Sequence, residues 1–380
     1  IRTVHAARVR SDRWMDRRAR RIDRRGDDGR TRETMDVSRT TDGKLEALEA
    51  MREEAMRTKR SARAVVKALA GRLARGGETS EEARAKTVEV VACALRVGVG
   101  DDEEGDGDGG VEEDARVGVR EALVRGLWMC SRDACARVAA AAVDAAAAAT
   151  ARRDLGVDGA SVVEEIVAPA LRHRSSKVRV EALRALTRMC AFVDARVVVA
   201  HLTGGDERKR NYFAEIACDP SPFVRMELVR LCGKLIGDET SVGAIVAARV
   251  TPYVLGAFRD EISDVREVGE DIVRSVKNFE DIVRENLDNM LIPALRQLDA
   301  FVEAGWREDI VVRIVELIDV MLRFATDRFT QFIPSVCDGL HKITTGKGFE
   351  NATKMKTMGV LYTLMECCPT EREYVSAYVR

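Results

Sequence analysis

Apolar residues recur every three to four positions along most of the chain, which is the spacing of amphipathic helices. Leu45, Leu48 and Met51 begin this pattern, and Gly76-Gly77 interrupts it. The segment from Thr79 to Glu82 then offers a helix N-cap with a glutamate three positions later, the signature of a capping box. The pattern therefore predicts a chain of helices joined by short turns, and the next question is whether those helices repeat.

Two series of residues recur in one phase along the chain. The prolines at positions 252, 293 and 334 are evenly spaced, and Pro169 precedes Pro252 by about two such intervals. Arginines near the start of every second predicted helix recur at a similar interval. The repeat markers are therefore Pro169, Pro252, Pro293 and Pro334 in the first helices, and Arg137, Arg179, Arg225, Arg266 and Arg313 in the second helices.

A helix pair of about 40 residues cannot bury its apolar face alone and must stack on its neighbours. This period is in the range of HEAT or armadillo repeats and is longer than that of tetratricopeptide repeats. We therefore predict an all-α, HEAT/armadillo-like α-solenoid of antiparallel helix pairs. The predicted organisation is a disordered arginine-rich arm over 1–43, a degenerate N-terminal helix pair over 44–98, an acidic glycine-rich loop over 99–112 and a HEAT-repeat solenoid over 113–380. Its helix pairs are expected over 113–150, 160–190, 194–236, 243–277, 283–325 and 328–367.

Both ends of the chain depart from the repeat pattern. Residues 1–40 hold thirteen arginines against seven acids and show almost no apolar periodicity, which is typical of a disordered segment. Residues 1–34 are also candidates for sequence upstream of the true start, with Met15 or Met35 as the initiator. Residues 371–380 begin another helix, which predicts a C-terminal continuation.

The overall charge is close to balanced, with 62 basic and 63 acidic residues, so no global field attracts anionic partners. The nine cysteines form no CxxC pair and are scattered from Cys93 to Cys368, which favours a reducing compartment over a disulfide framework. No run approaches the roughly 18 apolar residues that span a bilayer. These features predict a cytoplasmic protein that does not insert into membranes.

Two segments imitate binding motifs. Counting from Asp102, the acidic loop places Glu104, Asp106 and Glu113 near the ligand positions of a calcium-binding EF-hand. Gly109 stands where a packing residue is expected, however, and glycines precede the loop where a helix should enter, so we interpret it as a solvated loop. Gly346-Lys347-Gly348 lacks the upstream glycine of a phosphate-binding loop and is expected to be a turn. We expect neither a metal nor a cofactor.

The four histidines are remote from one another along the predicted stack, where each repeat touches only its neighbours. Several cysteines fall on apolar helix faces and are expected to behave as small core residues. The sequence therefore predicts no catalytic constellation and no enzymatic activity.

The repeated arginines are expected to stabilise the stack. Asp219, Asp264 and Asp309 are placed to accept hydrogen bonds from the arginines of neighbouring repeats. We predict a ladder of buried arginine–aspartate pairs in preference to a ligand site.

Segment 207–345 resembles a known family. The string from Asp219 to Gly233, the segments Pro252 to Phe258 and Asp260 to Arg266, and the later segment Arg313 to Leu322 are similar to repeats of the HEAT-repeat dynein axonemal assembly factor 5 family. Ala325 to Asp327 and Thr330-Gln331 also resemble its later repeats. Residues 1–115 do not match this family, whose members are longer chains. The resemblance implies a cytoplasmic factor that helps to preassemble axonemal dynein arms with dynein chains and chaperones as partners.

The leading functional hypothesis is a non-enzymatic protein-binding scaffold. A nucleic-acid-binding HEAT protein is an alternative, because basic residues recur at Arg184, at Arg188 and over 208–210, although nucleic acid is the less expected partner. Another HEAT scaffold, such as a phosphatase regulatory subunit or a transport receptor, is a third. The sequence assigns no partner-binding residue.

Overall fold

A computed structural model describes residues 41–76, 78–97, 111–203, 211–237, 244–304 and 308–379. These residues form helices joined by short turns, together with an isolated antiparallel bridge between Thr203 and Asn211. The chain divides into two units, one up to Asp158 and the other from Gly159. Each unit stacks helix pairs in the HEAT/armadillo-like manner, which confirms the predicted all-α fold class.

The described part of unit 1 contains five α-helices. They are α1 Thr41–Ala55, α2 Lys59–Arg75, α3 Glu81–Arg96, α4 Val111–Cys130 and α5 Ala136–Thr150, followed by a 3-10 turn over Arg153–Leu155. The cap at the start of α3 lies one residue later than the predicted capping box requires. Ser80 is the N-cap and its side chain accepts from the Ala83 amide, so alanine and not glutamate stands three positions after the cap. Helix α2 packs on α4, and α3 packs on α5.

The unit boundaries differ from the sequence-based ones. Residues 111–150, most of which the repeat pattern assigned to the solenoid, belong with the N-terminal helices. Helix α1 begins at Thr41, inside the predicted arm, and α4 begins at Val111, inside the predicted acidic loop. Residues 1–40 and 98–110, which hold most of the arm and most of the EF-hand-like segment, lie outside the described residues.

The close packing of α2 against α4 depends on Gly126. A Cβ atom at this position would lie 2.5 Å from the Leu73 Cβ and 3.0 Å from the Leu73 carbonyl carbon. Because that backbone cannot move without separating the helices, we expect Gly126→Ala to lower the free energy of unfolding by about 1–3 kcal/mol. Gly118→Ala in the same helix is the control, since nothing lies within 4 Å and alanine favours helix by up to ~1 kcal/mol. Urea denaturation of both variants measures the difference, and equal stabilities would contradict the proposed close approach.

Unit 2 continues the series with longer and shorter helices. They are α6 Gly159–Val162, α7 Ala168–Ala170, α8 Ser176–Met189, α9 Ala195–Leu202, α10 Tyr212–Ala217, α11 Pro222–Gly237, α12 Ala244–Ala257, α13 Ser263–Ser275, α14 Phe279–Glu285, α15 Leu287–Ala304, α16 Glu308–Phe324, α17 Thr326–Phe329, α18 Ile333–Thr345, α19 Asn351–Cys367 and α20 Arg372–Ser376. The second helices contact one another from α8 to α11 and from α11 to α13. The described part of the chain contains no helix long and apolar enough to cross a membrane.

The repeat prolines occupy the first helices of their pairs. Pro252 and Pro293 lie inside α12 and α15, while Pro334 stands in the first turn of α18. Pro169 follows a π-helical turn over Val163–Val167, where the wider backbone accommodates a residue that cannot donate an amide hydrogen.

The stacking changes after α13. Asn278 adopts a left-handed conformation with φ of 57°, which asparagine tolerates better than most residues, and the short helix α14 follows it. The additional helix α14 gives the repeat that contains α15 and α16 three helices, and α16 packs against α12. The rings of Phe258 and Phe279 both pack edge-on against Phe324, with centroids 5.7 and 6.0 Å away. The second helices that contact one another before this change are therefore α8, α11 and α13.

Candidate functional site

Bidentate arginine–aspartate pairs join successive second helices of unit 2. The guanidinium of Arg179 donates to both carboxylate oxygens of Asp219 at 2.6 and 2.8 Å. Arg225 makes the same fork with Asp260 at 2.7 and 2.8 Å. The remaining nitrogen of Arg225 donates to the Asp219 backbone carbonyl at 2.6 Å, so each arginine ties its own turn to the next repeat.

Each ladder aspartate also caps the turn that carries it. Asp219 accepts from the Ser221 amide at 2.9 Å, and Asp260 accepts from the Ile262 amide at 3.0 Å. The Arg225 and Asp260 side chains are each only 4% exposed. Burial by itself raises the pKa of Asp260, but hydrogen bonds from Arg225 and the Ile262 amide, together with the charge of Arg225, outweigh burial and leave that pKa below its usual value.

The ladder includes residues that the spacing did not predict. In unit 1 the fork joins Arg84 to Asp133, whereas Arg137 pairs with Glu89. In unit 2 the acceptor is Asp260 in place of the predicted Asp264, because the ladder aspartate lies in the turn, ahead of the arginine of its own repeat. Asp264 already belongs to the first turn of α13 and is exposed there.

The last predicted ladder residues are arranged differently. Arg266 donates to the Asp260 backbone carbonyl at 2.6 Å, which repeats the contact that Arg225 makes with the Asp219 carbonyl. Arg313 is exposed on α16, where its charge contributes to lowering the pKa of Asp260. Asp309 is exposed at the start of α16.

Acid should weaken the ladder. The lowered pKa of Asp260 means that its contribution to stability is complete above its unfolded pKa of about 3.8 and is lost as the pH falls through the lower folded value. Asp260→Asn removes this carboxylate. We therefore expect the stability gap between wild type and variant to narrow below about pH 4, measured by urea denaturation between about pH 7 and pH 3. A gap that stays constant over this range would contradict the assignment.

Some of the other potentially reactive groups lie in turns or in the interior of the described residues. The His173 ring nitrogen accepts from the Ser175 amide at 3.0 Å, where other repeats use aspartate. Burial raises the pKa of the Cys130 thiol to about 11 and of the Cys337 thiol to about 12, which makes both poor nucleophiles. Gly346 ends α18, and Lys347 is exposed in the turn that follows, as expected.

The solvent-facing sides of α8, α11 and α13 form the candidate binding face. The ladder arginines Arg179, Arg225 and Arg266 occupy equivalent places and so put the three helices in register. In this register Arg184 corresponds to Arg230 and Asp271, while Arg188 corresponds to Lys234 and Ser275. All of these side chains are exposed, so the face changes its charge from one helix to the next.

Glu227 organises the basic part of this face. Its side chain is 10% exposed, and one of its oxygens accepts from Arg184 at 3.0 and 3.1 Å and from Arg230 at 2.9 Å. The two arginines remain about half exposed, at 52% and 49%. A single buried carboxylate therefore holds two guanidinium groups at the surface with donors still available.

Other exposed groups extend the basic part across α8 and α11. Lys177 and Lys234 are exposed, and neither has an ion-pair partner among the described residues. Arg188 binds Glu181 at 2.7 Å. Phe223 is 66% exposed at the start of α11, in the position that corresponds to Lys177.

Helix α13 carries the opposite charge. Its exposed carboxylates are Asp264, Glu267, Glu270 and Asp271. Arg274 pairs with Glu270 and Asp271 at 3.2 and 3.1 Å, but both carboxylates remain at least half exposed. Gly233 brings this helix close to α11, since a Cβ there would lie 2.8 Å from Ile272.

Sequence reasoning found part of this face. Arg184 and Arg188 stood out as basic positions, whereas Phe223, Arg230 and Lys234 did not. The sequence does contain a signal for two of these residues. Adding the spacing between Arg179 and Arg225 to positions 184 and 188 gives the positions of Arg230 and Lys234. The basic run over 208–210 lies outside the described residues.

Comparisons with known proteins return structural neighbours alone. No family model matches the chain, and no curated protein matches its sequence. An engineered protein is similar over 66% of this chain and 99% of its own, with 17% identity and a TM-score of 0.44. The karyopherin Kap121p bound to Ste12p is similar over 90% of this chain, with 12% identity and a TM-score of 0.34, and the chain spans 27% of its length. Kap121p bound to the C-terminus of Cdc14p gives 14% identity and a TM-score of 0.38.

Proposed function

We propose that this protein is a non-enzymatic scaffold that binds other proteins through the second-helix face formed by α8, α11 and α13. The observation that carries this proposal is the reversal of charge across three helices that the ladder holds in fixed register. Such a face offers many modest polar contacts on a rigid support, which suits the binding of extended protein segments.

A protein partner fits this face better than a nucleic acid. A nucleic-acid backbone carries the same charge at every step, so a strand crossing the face would meet Asp264, Glu267 and Asp271 immediately after the basic helices. Protein segments can change their charge over the same distance.

A narrower proposal follows from the resemblance of segment 207–345 to the HEAT-repeat dynein axonemal assembly factor 5 family. Under it, the clients are axonemal dynein chains, chaperones are further partners, and the work takes place in the cytoplasm before dynein arms enter the cilium. The second-helix face would then hold segments of the dynein chains during assembly.

Affinity capture of the full chain from the cytosol of ciliated cells tests both levels of the proposal. We expect the wild type and the Arg296→Glu variant, which is changed on α15, to recover axonemal dynein chains. A variant with charges reversed on the second-helix face should recover less of them. Arg296 is exposed and has no ion-pair partner among the described residues. If other proteins are recovered and their recovery depends on the face, the scaffold proposal stands and the dynein proposal fails. If no protein is recovered in a way that depends on the face, both proposals fail.

A further inference from the structure

We propose that the second-helix face binds an extended peptide segment that is acidic where it lies over α8 and α11 and basic where it reaches α13. This inference rests on the proposed scaffold function and names the chemistry of its partner. The occupant is a segment of another protein, recognised by the order of its charges.

Arg184 and Arg230 are the centre of the acidic subsite. Both donate to the same oxygen of Glu227, at 3.0 and 2.9 Å, so their guanidinium groups are already positioned before a ligand arrives. Preorganised donors lose less side-chain entropy on binding than mobile surface arginines do. Planar guanidinium groups can also bind carboxylates through two parallel hydrogen bonds.

Neighbouring groups favour an acidic ligand over a neutral one. Five basic side chains, Lys177, Arg184, Arg188, Arg230 and Lys234, surround two carboxylates, Glu181 and Glu227. The exposed ring of Phe223 lies on the same helix side as Glu227 and Arg230, at four- and seven-residue spacing, and offers an apolar contact beside the charges.

The distance between helices sets the spacing of charges in the ligand. Packed helix axes lie about 8–10 Å apart, and an extended chain advances about 3.3 Å per residue. A peptide that leaves the arginine pair therefore reaches α13 after about three to five residues. There it meets Glu267 and Asp271, which are exposed and favour lysine or arginine.

Peptide binding measured by fluorescence anisotropy with the full chain tests this inference. The probe is a peptide with a glutamate block and a lysine block separated by a spacer of about four residues. Two controls replace either the glutamates or the lysines by glutamine. The charged probe should bind most tightly, with each control weaker by about tenfold or more.

Variants of the face then locate the contact. Removing Arg184 and Arg230 would leave the buried Glu227 without partners and endanger the fold, so Arg188→Glu with Lys234→Glu is the informative change. It should weaken the charged probe by about tenfold or more. The matched control, Arg296→Glu with Arg328→Glu, changes the same charge at exposed sites elsewhere and should leave the affinity within about twofold.

The acidic helix gives a reciprocal test. Glu267→Lys with Asp271→Lys should weaken the charged probe but leave binding of the glutamate-only control unchanged or tighter. Equal affinities of all three peptides, or tighter binding of a single-stranded oligonucleotide that Lys234→Glu abolishes, would overturn the inference. If the captured proteins lose binding to the Arg188→Glu and Lys234→Glu variant but the charged probe binds no more tightly than its two controls, this inference fails and the proposed scaffold function stands.

Discussion

Arg225→Met should lower the free energy of unfolding by about 3–5 kcal/mol, because it leaves the Asp260 carboxylate buried without its charged partner. The same change removes the donor to the Asp219 backbone carbonyl, which sits at 2.6 Å from the guanidinium. Both side chains of the pair are 4% exposed, so water cannot replace the lost hydrogen bonds without opening the turn. Urea denaturation followed by circular dichroism measures the loss.

Two controls distinguish the effect of breaking the buried ion pair from the general effect of removing an arginine. Adding Asp260→Asn to Arg225→Met keeps an acceptor for the Ile262 amide and removes the uncompensated charge, so the double variant should be more stable than the single one. Arg274→Met breaks an exposed pair, in which Arg274 is 67% exposed, and should cost less than about 1 kcal/mol. A loss for Arg225→Met as small as that for Arg274→Met would show that the ladder contributes little.

Phe213→Ala should destabilise unit 2 by about 3–5 kcal/mol. The ring of Phe213 is fully buried in α10 and packs edge-on against Tyr253 of α12, with centroids 5.6 Å apart. The Tyr253 hydroxyl is in turn hydrogen-bonded with Asn211 at the start of α10, so the deletion leaves a cavity beside a partly buried polar contact. Chemical denaturation of the variant measures the effect.

Phe223→Ala is the matched control for that substitution, because its ring is 66% exposed and lies on the binding face. It should change the free energy of unfolding by less than about 0.5 kcal/mol. The same variant is expected to weaken the charged probe peptide. Destabilisation of equal size in Phe213→Ala and Phe223→Ala would contradict the assignment of Phe213 to the core.

The sequence predicted the helix pairs because stacking requires particular side chains at fixed places in every repeat. Arg179 and Arg225 must reach the next turn, so their spacing follows the length of a repeat. Asp264 was predicted as a ladder acceptor, but it lies in the first turn of α13, and the turn aspartate Asp260 is the residue that accepts from Arg225 and from the Ile262 amide. The spacing between the turn aspartate and the next ladder arginine along the chain is constant, but it is recognisable only once the geometry of the turn is known.

Other features depend on contacts that spacing does not encode. The ladder pair in unit 1 begins at Arg84, and its partner Asp133 is 49 residues away because segment 98–110 lengthens the repeat. The π-helical turn before Pro169 and the left-handed Asn278 are local responses to packing. The role of Glu227 was also hidden, because only the folded stack brings Arg184 and Arg230 to the same carboxylate oxygen.

Site-specific photo-crosslinking tests the central claim most directly, since it asks where a protein partner touches the surface. A benzophenone amino acid in place of Phe223, at the start of the middle helix of the second-helix face, should crosslink to the captured partner. The same group in place of Tyr362 on α19, which is 51% exposed and outside this face, should give little product. Crosslinking at Tyr362 with none at Phe223 would contradict the proposed binding face.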